Sequence, residues 1–155
     1  MSEQKVLIVG ASGLIAEMES TDNVPDVNLP KTAGLLVTDP GGDALTTGDA
    51  KAYIRIHSVL NGMNLTGVGA SVSTVSSSGA VTVQVRRVRA GSPADMLSTA
   101  LTIDASETDS NTAATAAVID GANDDVATAD QIFIDVDGAG TGAKGLFVTL
   151  IFKHP

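Results

Sequence analysis

The chain of 155 residues has no cysteine, no tryptophan, one tyrosine and three phenylalanines. Without cysteine there can be no disulfide, no thiolate metal site and no cysteine nucleophile. Stability must come from packing, strand pairing or association with other chains. With so few aromatic rings the core has to be built from Val, Ile, Leu and Ala, and a sugar-stacking platform has little to draw on. Positive charge is scarce too: nine Lys and Arg stand against eighteen Asp and Glu, for a formal charge of −9. Phosphate neutralisation by Lys and Arg supplies most nucleic-acid affinity, so this balance argues against a nucleic-acid partner. It favours a well-solvated exterior. Long apolar runs are also missing. The eleven residues VLIVGASGLIA, from Val6 to Ala16, are too few to span a bilayer as a helix. Ahead of them Glu3 opposes Lys5, where a signal peptide would carry net positive charge. The chain therefore reads as soluble, made in a cytoplasm and without a membrane partner.

What is present is β-pattern. A chain of this length fits one domain and buries roughly 70% of the surface its unfolded form exposes. From Lys51 onward, apolar and polar residues alternate in short runs separated by turn residues. In VTVQVRRV, Val81, Val83 and Val85 point one way and Thr82, Gln84 and Arg86 the other. In QIFIDVD, Ile132, Ile134 and Val136 oppose Phe133, Asp135 and Asp137. The segment NLTGVGASVSTVS precedes VTVQVRRV across a serine-rich turn, Ser76-Ser77-Ser78-Gly79, and the two read as a hairpin. The last run, LFVTLIF, is apolar on both faces, as expected of a strand central in a sandwich or covered by another subunit. About eight strands at the turn spacing of sandwiches and barrels predict an all-β fold, a jelly-roll-like β-sandwich over residues 49–155. Residues 1–48, with Pro25 and Pro30 in a polar run and the turn Asp39-Pro40-Gly41-Gly42, predict an extended amino-terminal arm that serves attachment.

The sharpest enzyme-like signal is KVLIVGASGLIA, Lys5 to Ala16, in which a hydrophobic run leads into Gly10 and Gly13. In a dinucleotide-binding fold such glycines let the backbone approach a pyrophosphate at a helix start. That reading requires a long helix and a second parallel strand to follow, and Pro25 and Pro30 interrupt the first while nothing supplies the second. Ser12 lacks the glycine spacing of a nucleophile elbow, and His57 and His154 are the only histidines to complete a triad. Asp and Asn gather in turns, around Asp104–Asp109 and from Asp120 to Asp130. Oxygen-rich loops of that kind suit calcium, yet the ligand spacing of a calcium loop is missing. Their plainer role is to form turns. The arginines at 86, 87 and 89 are expected to pair with neighbouring carboxylates. No catalytic, cofactor or metal residue is assigned, and the chain reads as a non-enzyme.

The phrase DMLSTALTIDASETDSNTAATAAVID, followed by NDDVATADQIFIDVDGAGTGAKGLFVTLIF, resembles a domain of structural proteins in tailed bacteriophages and prophages. AYIRIHSVLNGMNLTGVGASVSTVSSSGAVTVQVRRV resembles the first half of the same domain, so the likeness covers Lys51 to Phe152. It implies a small sandwich on the exterior of a virion: a head-decoration (cement) protein, a head fibre or a tail-associated protein, in many cases a homo-trimer. Its partner would be the major capsid protein or another virion protein, and no cofactor comes with it. The alternative is a tail or fibre module that binds a host surface glycan. On either reading the contacts are expected from the apolar arm and strands, and the interface residues assigned are Leu7, Ile8, Leu14, Leu35, Leu36, Phe147 and Ile151.

Overall fold

The computed structural model describes Leu7–Val9 and Ile15–Glu17 as backbone strands and residues 29–155 in full. The molecule is an all-β sandwich whose sheets are antiparallel throughout. One sheet has three strands: β3 (Lys31–Leu36), β12 (Phe147–Lys153) and β5 (Asn64–Ser71), in the order β3-β12-β5. The other runs β4 (Gly48–Arg55), β11 (Gln131–Ala139), β6 (Val81–Arg89) and β7 (Ser92–Asp95), with β9 (Leu101–Ile103) also on β6, beyond β7. The chain passes from sheet to sheet as it goes from β3 to β6, and its last two strands then insert between earlier ones. This is the strand order of a jelly roll. Two small pairs stand apart: β1 (Leu7–Val9) with β2 (Ile15–Glu17), and β8 (Leu97–Thr99) with β10 (Val118–Ile119).

The alternation read from the sequence decides what is inside. Val81, Val83 and Val85 of β6 and Ile132, Ile134 and Val136 of β11 are buried almost completely. They meet Leu65 of β5 and Val148, Leu150 and Phe152 of β12 in one core cluster. Phe152 is the only aromatic ring in that core; aliphatic side chains, with Met63 and Met96, fill the rest. Tight turns join the strands where side chains would obstruct. Gly140 has φ of 60°, and a Cβ there would overlap the Ser76 hydroxyl. That hydroxyl donates to the carbonyl of Ser78 or Gly79 and accepts the Thr141 N–H at 2.9 Å, so the β11–β12 turn is pinned to the serine-rich loop.

Three expectations are corrected. The segments on either side of the serine turn are not a hairpin: β5 pairs with β12 and β6 with β11, in different sheets. The arm does not extend to residue 48, because β3 pairs over six residues with β12 and Leu45 is 5% exposed in the core. The stretch Asp95–Asp104, whose Leu97 and Leu101 predict one strand from the sequence, is instead split among the end of β7, β8 and β9, its halves turned toward different partners. Among the described residues, no helix is long and apolar enough to cross a membrane.

Candidate functional site: an uncharged sheet face and the cleft beside it

The two faces of β12 have different fates. Val148, Leu150 and Phe152 point into the core, while Phe147, Thr149 and Ile151 lie on the outer face of the three-stranded sheet. Register places Leu36 and Ser71 beside Phe147, Gly34 and Gly69 beside Thr149, and Thr32 and Gly67 beside Ile151. The nine residues of these three rows are apolar, hydroxylic or glycine, and none is ionisable. Leu36 is 55% exposed and Phe147 40%. The glycines shape this face as much as the apolar side chains do. A Cβ on Gly34 would come within 2.5 Å of the Phe147 ring, and one on Gly67 within 3.2 Å of Ile151 Cδ1. The ring and the isoleucine therefore lie down across bare backbone, and the face is low and smooth.

Of the residues assigned to an interface from the sequence, Leu36, Phe147 and Ile151 converge on this surface. Leu35 turns the other way and serves the chain's own core. Leu7 and Ile8 fall in β1, of whose side chains nothing is described, and Leu14 lies outside the described residues.

Past Gly67 the face runs into a cleft of about 500 Å³, bounded by Thr66, Gly67 and Val68 of β5 on one side and Val118 and Ile119 of β10 on the other, with Leu101 also in the wall. The remaining lining residues are Ala, Thr, Ser and Asn, so the cleft also lacks charge. Sequence reasoning did not find it, because it exists only where β10 turns to β8 and leaves the edge of β5 uncovered.

The opposite face of the sandwich is finished differently. One cross-strand row places Tyr53, Phe133, Arg86 and Asp95 side by side on β4, β11, β6 and β7. The Tyr53 and Phe133 rings stack at 5.4 Å, and the Arg86 guanidinium sits 5.4 Å from the Phe133 centroid. Arg86 also grips Asp135 with two bonds, Nε to Oδ2 at 2.5 Å and Nη2 to Oδ1 at 2.9 Å. At the end of the same strand Arg89 binds Asp130 through Nε and Nη2 and Asp125 through Nη1 at 2.8 Å, while Arg87 binds the Asp125 carboxylate and carbonyl. The arginines thus staple β6 to β11 and to the loop before it, and the expected pairing with carboxylates is present.

The electrostatics follow from that stapling. Burial works to raise the Asp130 carboxyl, but bonds from Arg89 and the Ala127 N–H outweigh it and hold the group below the usual carboxylate range. For Asp135 burial is likewise overcome, by Arg86 and the Ala50 N–H. Its neighbour Asp137 has no such partner. Burial, and then the charges of Asp135, Asp49 and Asp95, push its carboxyl up.

The other sequence candidates sit in ordinary places. Asp39, Asp109 and Asp120 each accept the backbone N–H two residues on, the geometry of turn formers, while Asp104 accepts the Ala114 N–H ten residues on. Among the described residues no three His, Asp or Glu converge to hold a metal ion. His57 is exposed and touches Ser58 Oγ at 3.2 Å. The dinucleotide reading needed a helix where Ile15–Glu17 is a strand antiparallel to Leu7–Val9; Gly10, Ser12 and Gly13 lie outside the described residues. No protein-family model matches the chain, and no match was found among curated proteins or solved structures.

Proposed function

We propose that this chain is a non-enzymatic structural subunit of a tailed-phage particle, a head-decoration (cement) protein on the outside of the capsid that associates as a homo-trimer. The observation that carries the reading is the uncharged face of Leu36, Phe147 and Ile151 on a chain of net charge −9. Water is a poor solvent for such a face, and a patch of this kind on an otherwise polar exterior is characteristic of a protein contact. The acidic remainder suits the side turned outward, where it keeps particles apart in solution. The likeness to phage structural domains over Lys51 to Phe152 supplies the kind of particle.

Copy number tests it. Quantitative mass spectrometry of purified particles is expected to find hundreds of copies per head, lost when Phe147 and Ile151 are both changed to Ser. Absence from the particles overturns the reading; a handful of copies transfers the chain to the tail.

A second reading, a glycan-binding module of a tail or fibre, is favoured by Tyr53, which stands 60% exposed on the Phe133 ring on the opposite face. Binding to a glycan array that is lost in Tyr53→Ala and kept in the Phe147 and Ile151 variant would select it over the first.

A further inference from the structure

A complete jelly roll has eight strands in two sheets of four. Here one sheet has three, and the vacant position is beside β5. The strand next in chain order after β9 is β10, only two residues long and committed to β8. The outer edge of β5 is tied down at both ends. The Leu65 N–H reaches the Asp124 carbonyl at 2.8 Å, the Ala70 N–H reaches Ser110 Oγ at 3.0 Å, and the Val72 N–H reaches the Thr108 carbonyl at 2.8 Å. Alternation along an antiparallel strand puts the Val68 N–H and carbonyl on that same edge, between these ties, where they face the cleft. An open edge beside an uncharged cleft is a template for one more strand.

The occupant is within the chain. The segment from Val6 to Ala16 is eleven consecutive uncharged residues in an acidic protein, and it contributes β1 and β2. An isolated two-stranded pair is marginal in water and needs a third strand or a covering layer. Between Glu17 and Lys31 lie residues 18–30, enough chain to reach about 40 Å. The start of β3 is only two strands from β5, about 10 Å across the sheet. A tethered segment competes at an effective concentration of order millimolar, far above that of a second copy in dilute solution.

We propose that this segment docks in its own molecule with β1 (Leu7–Val9) as the strand added along Thr66–Val68, occupying the cleft as a fourth strand beside β5. The docking concerns the free chain and stands apart from the particle reading.

Amide exchange on the full chain tests it. The Val68 N–H is expected to exchange at least about tenfold more slowly in the native chain than in a Leu7→Glu, Val9→Glu variant. The Val83 N–H, deep in the core, serves as the control and is expected to be unchanged. Equal Val68 rates in the two proteins overturn the proposal. Because the chain has no cysteine, a second measurement is clean: Ile8→Cys and Val118→Cys together, treated with a short bismaleimide. A cross-linked monomer is the expected product. A cross-linked dimer overturns docking within one molecule in favour of a second copy, and failure to cross-link overturns docking in the cleft altogether.

Discussion

The outer faces of the two sheets are built from the same strand chemistry and finished in opposite ways. On β4, β11, β6 and β7 every charged group on the row of Phe133 and its neighbours has a partner or faces water, and Arg86 bridges ring and carboxylate. On the three central rows of β3, β12 and β5, between the end lysines Lys31 and Lys153, there is no charge to satisfy, and apolar side chains lie flat over glycine. The first face is complete in an isolated molecule. The second leaves Leu36 and Phe147 in water. On the proposed function, stability and association are therefore written on different sides of one sandwich, and substitutions can separate them.

The separation breaks most severely where the two sheets share a core. Phe152→Ala is expected to cost about 3–5 kcal/mol by urea denaturation, since the ring is fully buried behind the uncharged face and leaves a large cavity. That variant should lose folding and, with it, any association through the face above the ring.

Arg89→Ala acts on the finished side. It leaves Asp130, 3% exposed, without its main counter-charge, and about 2 kcal/mol should be lost, less than for a fully buried pair because the Arg89 side chain is 38% exposed. The pH profile gives its signature. Asp125, Asp130 and Asp135 have folded values below the ordinary carboxylate value, so their stabilisation is fully present above about pH 4 and lost as acid titrates them through the lower folded values. Acid unfolding of the native chain should be steep below about pH 4, and shallower in Arg89→Ala.

The uncharged face should respond in the reverse sense. Phe147→Ser with Ile151→Ser is expected to lower monomer stability by only about 1 kcal/mol, because both side chains already sit partly in water. If the chain associates through this face as proposed, sedimentation should nevertheless show a trimer for the native chain and a monomer for this variant. If stability falls as far as in Phe152→Ala, the two faces do not divide the work as described.

Asp137→Asn carries the smallest effect. Its carboxyl is raised, so above the raised folded value its charge works against the fold. The amide should raise the melting temperature at neutral pH by the equivalent of a few tenths of a kcal/mol, a size limited by solvent screening. The gain should vanish in acid, where the native carboxyl is already neutral.

How much of this was legible beforehand depended on the distance over which residues act. The inward and outward residues of β6 and β11 were plain, because Val and Ile alternate with polar residues and a strand has period two. Which strands pair was not. Ser76 to Gly79 has the composition of a hairpin turn, yet here it carries the chain between sheets, and sequence neighbours share a sheet only some of the time. β3 was missed as part of the sandwich because Lys-Thr-Ala-Gly-Leu-Leu lacks alternation and gains its place only from β12. The uncharged face was half visible: Phe147 and Ile151 on one side of a doubly apolar strand announced it. The glycines that flatten it come from two other strands, and no local pattern links them.

The order in which the strands are made sets a timetable for assembly. β12 lies between β3 and β5, and β11 between β4 and β6, so all four flanking strands are synthesised before either central partner exists. Lys31 waits for Phe152, 121 residues later, and neither sheet can close on the ribosome until the last strands emerge. Such distant pairings place folding on the slow, millisecond-to-second side of the scale and leave bare strand edges in the interval. The nascent chain's demand for protection during synthesis is thus fixed by topology, whatever the finished sandwich goes on to do.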